Sequence, residues 1–376
     1  MTAPRRPVYL DHAASSPMRP EAVTAMLPFL GDQFGNPSGA HALARAARVA
    51  IEDARDVMAE ALGCAPGEVV FTGGGTEADN LAVNGGRAGR RVCSAVEHHA
   101  VLRPVEASGG TVVAVDAAGR VDAAALRAAL SDDVAVVSVM LANNETGVVQ
   151  SLDEVAAIVR TASPHAVLHT DAVAAFCWRD VAGEAAAADL VSVSAHKFGG
   201  PMGVGALVVR DHVELAPMLR GGGQERERRS GTHNVPAIVG MAAAASVTVR
   251  ERRDAAARIG ALRDQLARGL TGAVGGVVVT AADAEHTAAT LHLLVEGVES
   301  EALVFALDQL GVCASAGSAC ASGALEPSHV LSAMGVDPAS VRGALRLSLG
   351  WSSTAADVDA ALVALPKAIE NLRAAS

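Results

Sequence analysis

The chain contains two lysines among its 30 basic residues, and one of them follows a segment typical of a buried strand. Lys197 is the third residue after the segment 188–194, ADLVSVS, whereas Lys367 lies near the C-terminus in a predicted helix. A primary amine forms an imine with an aldehyde, and the guanidinium group of arginine cannot do so. Because the other basic residues are all arginine, Lys197 is a candidate for covalent chemistry.

A carboxylate occupies the corresponding place after a second predicted strand. Asp171 follows residues 166–170, AVLHT. In an open sheet of parallel strands, the residues that follow the strands lie along one edge, where ligands bind. Pyridoxal phosphate needs both groups there, because the lysine forms an imine with its aldehyde and the aspartate keeps its pyridine nitrogen protonated. The pair therefore predicts a pyridoxal-phosphate site.

Polar residues also follow other predicted strands. Glycines at 73–75 and Thr76 follow residues 68–72, EVVFT, and either bring backbone N–H groups to a phosphate or only form a turn into a helix. His98 is suited either to a structural role or to stacking on a planar ligand and moving protons. The segment 142–147, ANNETG, is either a polar part of the site or an Asx-rich turn.

Cys320 lies in the segment 315–328, SAGSACASGALEPS, which is typical of a loop. Structural cysteines prefer bulky apolar neighbours, and this one is surrounded by small residues. Its thiol is therefore either a reactive group or a chance loop cysteine, and the segment alone does not distinguish the two. The five cysteines show no spacing typical of disulfides or metal sites, so we expect a reducing, cytoplasmic compartment and no metal.

The elements that must position these residues alternate between strand-like and helical segments from about residue 65 to 210. Such alternation predicts an α/β fold with a mostly parallel sheet covered on both faces. A long helical segment at roughly 236–270 leads to further predicted strands at 287–295 and 344–350 and a final helix at 355–373. We therefore expect a large domain at 16–252, and a smaller α/β domain formed by 1–15 and 253–376 that carries the Cys320 loop.

The composition excludes several classes of function. A hydrophobic content of 51% with 19% charged residues is typical of a globular protein. The net charge of −11 argues against nucleic-acid binding, and no apolar run has the roughly 20 residues needed to span a membrane. The segment 1–10, MTAPRRPVYL, does not read as a signal peptide, which also favours the cytoplasm.

Many short motifs of the chain occur in the same order as in a known family. They are YLDHAA, FGNPS, VFTGGGTEADNLAV, AVEHHAVL, NNETGVVQ, HTDA, SAHKFGGP, GGGQERERRSGT, GSACAS with LEPS, and RLSLG. On these motifs the sequence resembles the NifS-like cysteine desulfurases, which are class V enzymes of the fold-type I pyridoxal-phosphate group. The resemblance covers nearly the whole chain and implies a large domain with a seven-stranded sheet, a smaller domain and a homodimer.

The resemblance implies a role for each residue that matches a motif. Lys197 would carry the imine, Asp171 would pair with the pyridine nitrogen, and His98 would stack on the ring and assist proton transfer. Asn144 would lie beside the ring hydroxyl group. The implied phosphate-site residues are Gly75, Thr76, Ser194 and His196, with Thr232 reaching the phosphate of the neighbouring subunit.

The substrate-binding and nucleophilic residues are implied in the same way. Asn36 and Arg346 match the groups that hold the substrate carboxylate, and the fork of an arginine suits bidentate carboxylate binding. Cys320 matches the nucleophile that forms a persulfide. Its surroundings match the desulfurases whose catalytic loop is long and mobile.

One position departs from the family pattern. The family normally has glutamine at the position of Ala174, where it contacts the cofactor hydroxyl group. Alanine cannot donate that hydrogen bond, and an unpaired acceptor costs on the order of 1–3 kcal/mol. A water or a neighbouring side chain would have to substitute for it.

The resemblance implies conversion of L-cysteine to L-alanine, with the sulfur kept as a persulfide for an acceptor in iron–sulfur cluster assembly or in thiolation of tRNA or cofactors. Two alternatives remain at this point. One is a selenocysteine lyase or another class V lyase, which would keep the cofactor and change the substrate. The other is a sulfur-carrier or interaction protein whose enzymatic site has decayed, with Ala174 as its trace.

Overall fold

The strands of the protein were located in a computed structural model that describes residues 7–317 and 327–375. Most of them lie in Val-rich or Leu-rich segments, which favour the pleated and buried environment of a sheet. In chain order they are β1 (Val8–Tyr9), β2 (Val69–Thr72), β3 (Arg90–Ser94), β4 (Thr111–Val113), β5 (Val134–Ser138), β6 (Val167–Asp171), β7 (Leu190–Ser194), β8 (Gly205–Val209), β9 (Val277–Val279), β10 (Thr290–Val295), β11 (Val312–Cys313), β12 (Ser315–Ala316) and β13 (Ala344–Ser348).

The helices lie between these strands and after the last one. In chain order they are α1 (Pro20–Met26), α2 (Ala42–Leu62), α3 (Gly75–Asn84), α4 (His99–Ala107), α5 (Ala123–Ala129), α6 (Leu152–Ala162), α7 (Val181–Glu184), α8 (Val235–Ala273), α9 (Ser300–Gln309), α10 (His329–Ala333), α11 (Pro338–Val341) and α12 (Ala355–Ala375). Four 3₁₀ turns accompany them within the described residues, and the one at Ala195–Lys197 directly follows β7.

The largest sheet has seven strands in the spatial order β2-β8-β7-β6-β5-β3-β4. The pairs from β7 through β6, β5 and β3 to β4 are parallel. Strand β8 is antiparallel to both β2 and β7. All residues of β5 and β7 are buried, as expected for strands covered by helices on both faces. The predicted mostly parallel, seven-stranded sheet is therefore confirmed.

A second core lies between the C-terminal elements and the first residues of the chain. Strands β12, β13, β10 and β9 form an antiparallel sheet, and β1 pairs with β11. Leu10, which follows β1, packs in the same apolar cluster as Leu270 of α8, Leu303 of α9 and Leu365 of α12. The predicted domain boundary at residue 252 falls inside α8, and that division stays a prediction.

Within the described part of the chain, no helix has the combination of length and apolar character that crossing a membrane requires. The longest helix, α8, has 39 residues but is rich in charged side chains beyond residue 249. Its first half packs in the core beneath the large sheet and its second half packs in the C-terminal core. One helix thereby supports both cores.

Candidate active site

A cavity of about 510 Å³ opens at the carboxyl edge of the large sheet. Strands β6 and β7 end at it, and α3 begins at it. Nine of the residues predicted for the site line this cavity: Gly75, Thr76, His98, Asn144, Asp171, Ser194, His196, Lys197 and Arg346. The parallel strands β6 and β7 bring Asp171 and Lys197 to the same edge of the sheet, as the sequence pattern predicted, and Arg346 reaches the cavity from the second sheet.

Lys197 is held by the start of the chain. It ends the 3₁₀ turn after β7, and its Nζ donates hydrogen bonds to the carbonyl oxygens of Ala13 and Ala14, the second at 3.1 Å. The side chain is half-buried and lies on the wall of the cavity. Lys367 is exposed on α12 and does not line this cavity.

Asp171 is the last residue of β6, and its side chain is buried. Its Oδ1 accepts a hydrogen bond of 2.8 Å from the backbone N–H of Val173. Burial raises the pKa of Asp171 to about 6, against the lowering effects of that hydrogen bond and of the Lys197 charge. A cation placed beside this carboxylate, such as a protonated pyridine nitrogen, would favour its charged form.

The N-terminus of α3 provides an anion-binding surface on the cavity wall. Gly74 has a φ of 144°, a conformation that L side chains rarely adopt, and α3 begins at the next residue. A Cβ atom at Gly75 would lie 2.9 Å from Cγ2 of Val173, so glycine allows the close approach. The hydroxyl of Ser194 lies beside these glycines and is 2.9 Å from Nδ1 of His196. Such N–H and hydroxyl groups suit a phosphate.

His98 is the N-cap residue of α4. Its Nδ1 accepts a hydrogen bond of 3.1 Å from the N–H of Ala100, so the proton of the neutral ring is on Nε2. Burial, the charge of Lys197 and His99 lower the pKa of His98 to about 4. The imidazole is therefore neutral at pH 7, when it can both stack on a planar ligand and exchange a proton at Nε2.

Arg346 lies on β13, at the centre of the second sheet, and is almost fully buried. Its Nη2 donates to Oδ1 of Asp11 at 2.9 Å, and its Nη1 donates to the carbonyl oxygen of Asn144 at 3.1 Å. Its Nε has no hydrogen-bond partner among the described residues. A buried guanidinium with unused donor capacity at a cavity wall is suited to bind a carboxylate.

The polar segment 142–147 contains two asparagines with different surroundings. Asn143 is buried and structural, because its Oδ1 accepts from the N–H groups of Glu145 and Thr146. Asn144 lies on the cavity wall. Asn143 therefore belongs to an Asx-rich turn, and Asn144 is a polar part of the site. The two alternatives that the sequence left open each apply to one residue.

Two predicted residues, Asn36 and Thr232, do not line the cavity in this chain. Asn36 is exposed before α2, and its Oδ1 accepts a hydrogen bond from the N–H of Ser38. Thr232 is exposed as well. Cys320 lies outside the described residues. The roles given to these three residues stay predictions.

A small recess of about 30 Å³ adjoins the cavity at Ala174. Asn144 and Lys197 line both spaces, and Cys177 and Ser16 line the recess. Space next to Ala174 is therefore present, and polar groups surround it. Ala174, where the family pattern has glutamine, therefore faces both the cavity and the recess.

Sequence reasoning missed several polar residues around the cavity. Asp79 lies on α3 one turn after Gly75, lines the cavity and is 1% exposed. Glu97 is fully buried and accepts from the hydroxyl of Ser94 and the N–H of Met140. The helical spacing from Gly75 indicates the position of Asp79, whereas nothing in the local pattern distinguishes Asp11 or Glu97.

The residues present fit pyridoxal phosphate on three grounds. Lys197 offers an amine, Asp171 offers a buried carboxylate, and the start of α3 offers donors for a phosphate, all in one cavity. The cavity volume is within the range of small-molecule sites. Among the described residues, no group of three or more His, Cys, Asp or Glu could hold a metal ion.

Comparisons with known proteins agree with this class of site. A model of the family described as aminotransferase class-V matches residues 8–361. The chain is 45% identical over 98% of its length to the IscS-like cysteine desulfurase of Mycobacterium tuberculosis, of which it covers 98%. Among solved structures, a NifS-like protein aligns with a TM-score of 0.88 and 34% identity, covering 97% of this chain and 99% of that one.

The fold and the cavity are those of a pyridoxal-phosphate enzyme of fold type I. The chain belongs to the class V aminotransferase family, within its group of NifS-like cysteine desulfurases. A further structure, described as SspA in complex with cysteine, has a TM-score of 0.78 and 31% identity and covers 92% of this chain and 99% of that one. The suspected family is therefore confirmed.

Proposed function

We propose that this protein is a cysteine desulfurase that converts L-cysteine to L-alanine and retains the sulfur as a persulfide on Cys320. The observation that carries the proposal is the single cavity that unites Lys197, Asp171 and Arg346. It is supported by the full-length similarity to a relative named as a cysteine desulfurase and to a structure described as a complex with cysteine. These groups suit an amino-acid substrate with a free carboxylate.

Lys197, Asp171 and the start of α3 would hold pyridoxal phosphate through its aldehyde, its pyridine nitrogen and its phosphate. When bound, the cofactor supplies an electron sink for a negative charge on the α-carbon of the substrate. Lys197 would remove the α-proton with Nζ, and the carbonyl oxygens of Ala13 and Ala14 would orient the resulting ammonium group. Asp171 would contribute a fixed negative charge for the pyridine nitrogen.

Arg346 would bind the substrate carboxylate and fix its orientation. Asp11 and the carbonyl oxygen of Asn144 hold its guanidinium from one side, so the geometry of the remaining donors is set before the substrate arrives. His98 is neutral and would hold or pass a proton at Nε2. Asn36 would add a second contact to the carboxylate.

Cys320 would accept the sulfur as a thiolate, because the thiol is a weak nucleophile. A bond forms between its sulfur and that of the substrate, and the carbon–sulfur bond of the substrate breaks. The electron pair of that bond stays on the substrate carbon, which takes a proton to become the methyl group of alanine. The product on the enzyme is a persulfide.

The partners and the location of the protein follow from the same proposal. We expect a homodimer in which Thr232 reaches the phosphate site of the other subunit, and a sulfur-acceptor protein that receives the persulfide. The acceptor would belong to iron–sulfur cluster assembly or to thiolation of tRNA or cofactors. The five cysteines, without disulfide spacing, favour the cytoplasm.

In the direct test, the purified protein is incubated with L-cysteine, and alanine and protein-bound persulfide are quantified at the same time points. We expect both products to appear in equal amounts during the first turnover. A strong preference for selenocysteine, with no alanine formed from cysteine, would instead identify a selenocysteine lyase. Cofactor binding with no product from either substrate would instead indicate a sulfur-carrier or interaction protein whose enzymatic site has decayed.

A further inference from the structure

A chain of buried polar groups lies behind the cavity, across three neighbouring strands. His169 of β6 is fully buried, with Nδ1 2.7 Å from the hydroxyl of Ser138 on β5 and Nε2 2.9 Å from the hydroxyl of Ser192 on β7. Burial lowers the pKa of His169 to about 3, so the ring is neutral. A neutral imidazole has one donor and one acceptor, and it therefore accepts from one serine and donates to the other.

Asp79 of α3 joins this chain from the helix that covers the strands. Its carboxyl group interacts with the side chain of Ser192, and its Oδ1 is 3.6 Å from Nε2 of His169. Oδ1 has no hydrogen-bond partner among the described residues, although Asp79 is 1% exposed and lines the cavity. A buried carboxylate oxygen without a partner is costly if it is charged.

Asp79 and Asp171 are both buried and repel each other when both are ionised. Asp171 pairs in the strand register with Ser192, which contacts Asp79. Burial raises the pKa of Asp79 well above its ordinary value, and the charges of Asp171 and Glu97 raise it further, while the bond with Ser192 lowers it. The charge of Lys197 lowers the pKa of Asp171. Two interacting buried carboxyl groups therefore favour a state with one proton.

We propose that Asp79 is a positioning residue for Asp171: its carboxyl group is protonated and hydrogen-bonded in the Ser192–His169–Ser138 chain, so that Asp171 keeps the negative charge. The hydroxyl group of protonated Asp79 donates to Ser192, Ser192 donates to Nε2 of His169, and Nδ1 of His169 donates to Ser138. Asp79, Ser192 and His169 each donate to one acceptor in this arrangement. The chain fixes Ser192 directly beside Asp171.

The role of Asp171 rests on the proposed function, whereas the protonation of Asp79 does not. Infrared spectroscopy of the cofactor-loaded protein at pH 7, without substrate, measures protonated carboxyl groups through their C=O stretching band. We expect a component of this band to disappear in Asp79→Asn. Glu97→Gln is the control, because it removes the other buried carboxyl whose pKa burial raises, to about 8, and should remove a different component. An unchanged band in Asp79→Asn would overturn the proposal even if the protein is an active desulfurase.

A second pair of variants tests whether Asp79 acts as a neutral hydrogen-bond donor or only fills space. Asp79→Asn keeps the shape, the lack of charge and a donor for Ser192, and should leave the pH titration of the cofactor's visible absorption unchanged. Asp79→Leu removes the donor and should weaken pyridoxal-phosphate binding about tenfold and shift that titration. A shift in Asp79→Asn, or none in a folded Asp79→Leu, would contradict the proposal. If the leucine variant does not fold, the infrared result and the cofactor titration of Asp79→Asn test the proposal.

Discussion

At the scale of single residues, Ala174 is where this chain departs most clearly from the motifs of its family. Its methyl group lies between the cavity and the recess of about 30 Å³, both of which Asn144 and Lys197 also line. No hydrogen bond can come from this side chain to a ligand in the cavity. The chain therefore binds its cofactor with one fewer side-chain donor at this wall.

Ala174→Gln should tighten pyridoxal-phosphate binding. The new amide would donate a hydrogen bond to the cofactor, and a gain of about 1 kcal/mol corresponds to roughly a fivefold lower Kd. Equilibrium binding of the cofactor to the protein, followed by absorbance, measures this change. Ala174→Leu is the matched control, because it adds similar volume without a donor and should not tighten binding. Equal tightening in both variants would show that filled space is responsible, and the account of Ala174 would be wrong.

Cys320→Ser should abolish persulfide formation while the visible absorption of the bound cofactor persists. A hydroxyl group is a far weaker nucleophile toward sulfur than a thiolate, and Cys320 is not among the residues proposed to hold the cofactor. Mass spectrometry of the protein after exposure to L-cysteine detects the added sulfur. Cys313→Ser on β11 is the control and should keep the persulfide. Persulfide retained in the Cys320 variant would remove this residue from the mechanism.

Sequence reasoning identified the residues that follow strands more readily than those inside elements. Lys197 and Asp171 were predicted because their chemistry is distinctive and strand ends are easy to locate. Asp79, Glu97 and Asp11 were not, because a carboxylate in a helix or after a turn is usually exposed. Their burial depends on which elements pack over them, and this is a tertiary property.

At the scale of elements, the corner between β3 and α4 contains a carboxyl group sealed from water. Glu97 accepts two hydrogen bonds at Oε1, and its Oε2 has no partner among the described residues. Burial raises the pKa of Glu97 to about 8, with a smaller raising effect from Asp171, against the lowering effects of Ser94 and Met140. The corner is therefore most stable when this carboxyl is protonated.

Glu97→Gln should gain stability relative to the wild type as the pH rises. The folded-state pKa of about 8 lies above the unfolded value, so the wild type loses stability between about pH 4.5 and pH 8, by up to about 1.4 kcal/mol per pH unit. Glutamine mimics the protonated acid and avoids this loss. Urea unfolding of both proteins at pH 5 and pH 8 measures the difference.

The control for this prediction is Glu301→Gln, which makes the same change at an exposed position on α9. Its stability relative to the wild type should vary little over the same pH range. A Glu97→Gln variant that loses stability relative to the wild type as the pH rises would contradict the burial argument.

The order of the elements was largely predictable from hydrophobic patterning. The apolar segments at 134–141 and 188–194 contain β5 and β7, and the predicted final helix at 355–373 lies within α12. The direction of β8 was not predictable, because its segment has the same apolar character as the strands that pair in parallel elsewhere in the sheet. The short connection from β7 through Lys197 to β8 makes the antiparallel turn possible.

At the scale of the whole molecule, a buried ion pair anchors the segment that carries Thr232. Both oxygens of Glu225 accept from Arg55 of α2 at 2.9 Å, and Oε2 also accepts from the N–H of Phe71. Residues 225–227 all have φ between 49° and 65°, which is unfavourable for residues other than glycine. The ion pair thus holds a strained segment against the large sheet.

Glu225→Gln should lower the stability of the protein by about 3–5 kcal/mol at pH 7, because it leaves the charge of Arg55 buried and unpaired. Burial opposes the charge of Glu225, but Arg55 and His233 overcome it and lower its pKa to about 2. The stabilisation is therefore present above about pH 4.5 and is lost as the pH falls toward 2. Between pH 7 and pH 3.5 the difference between the variant and the wild type should narrow by about 1 kcal/mol.

Glu227→Gln changes an exposed carboxylate in the same segment and should leave stability nearly unchanged. Sedimentation analysis of both variants tests the proposed homodimer. Glu225→Gln should weaken dimerisation if the segment reaches the other subunit. A Glu225 variant as stable as the Glu227 variant would show that the ion pair does not anchor the segment.

The absorption spectrum of the purified protein, recorded before and after addition of L-cysteine, tests the central claim most directly. Lys197 joined to pyridoxal phosphate predicts a visible band that changes on addition of the amino acid, and the same band should be absent in Lys197→Ala. A wild-type protein that shows no visible band after incubation with the cofactor, or a band that L-cysteine leaves unchanged, would contradict the account.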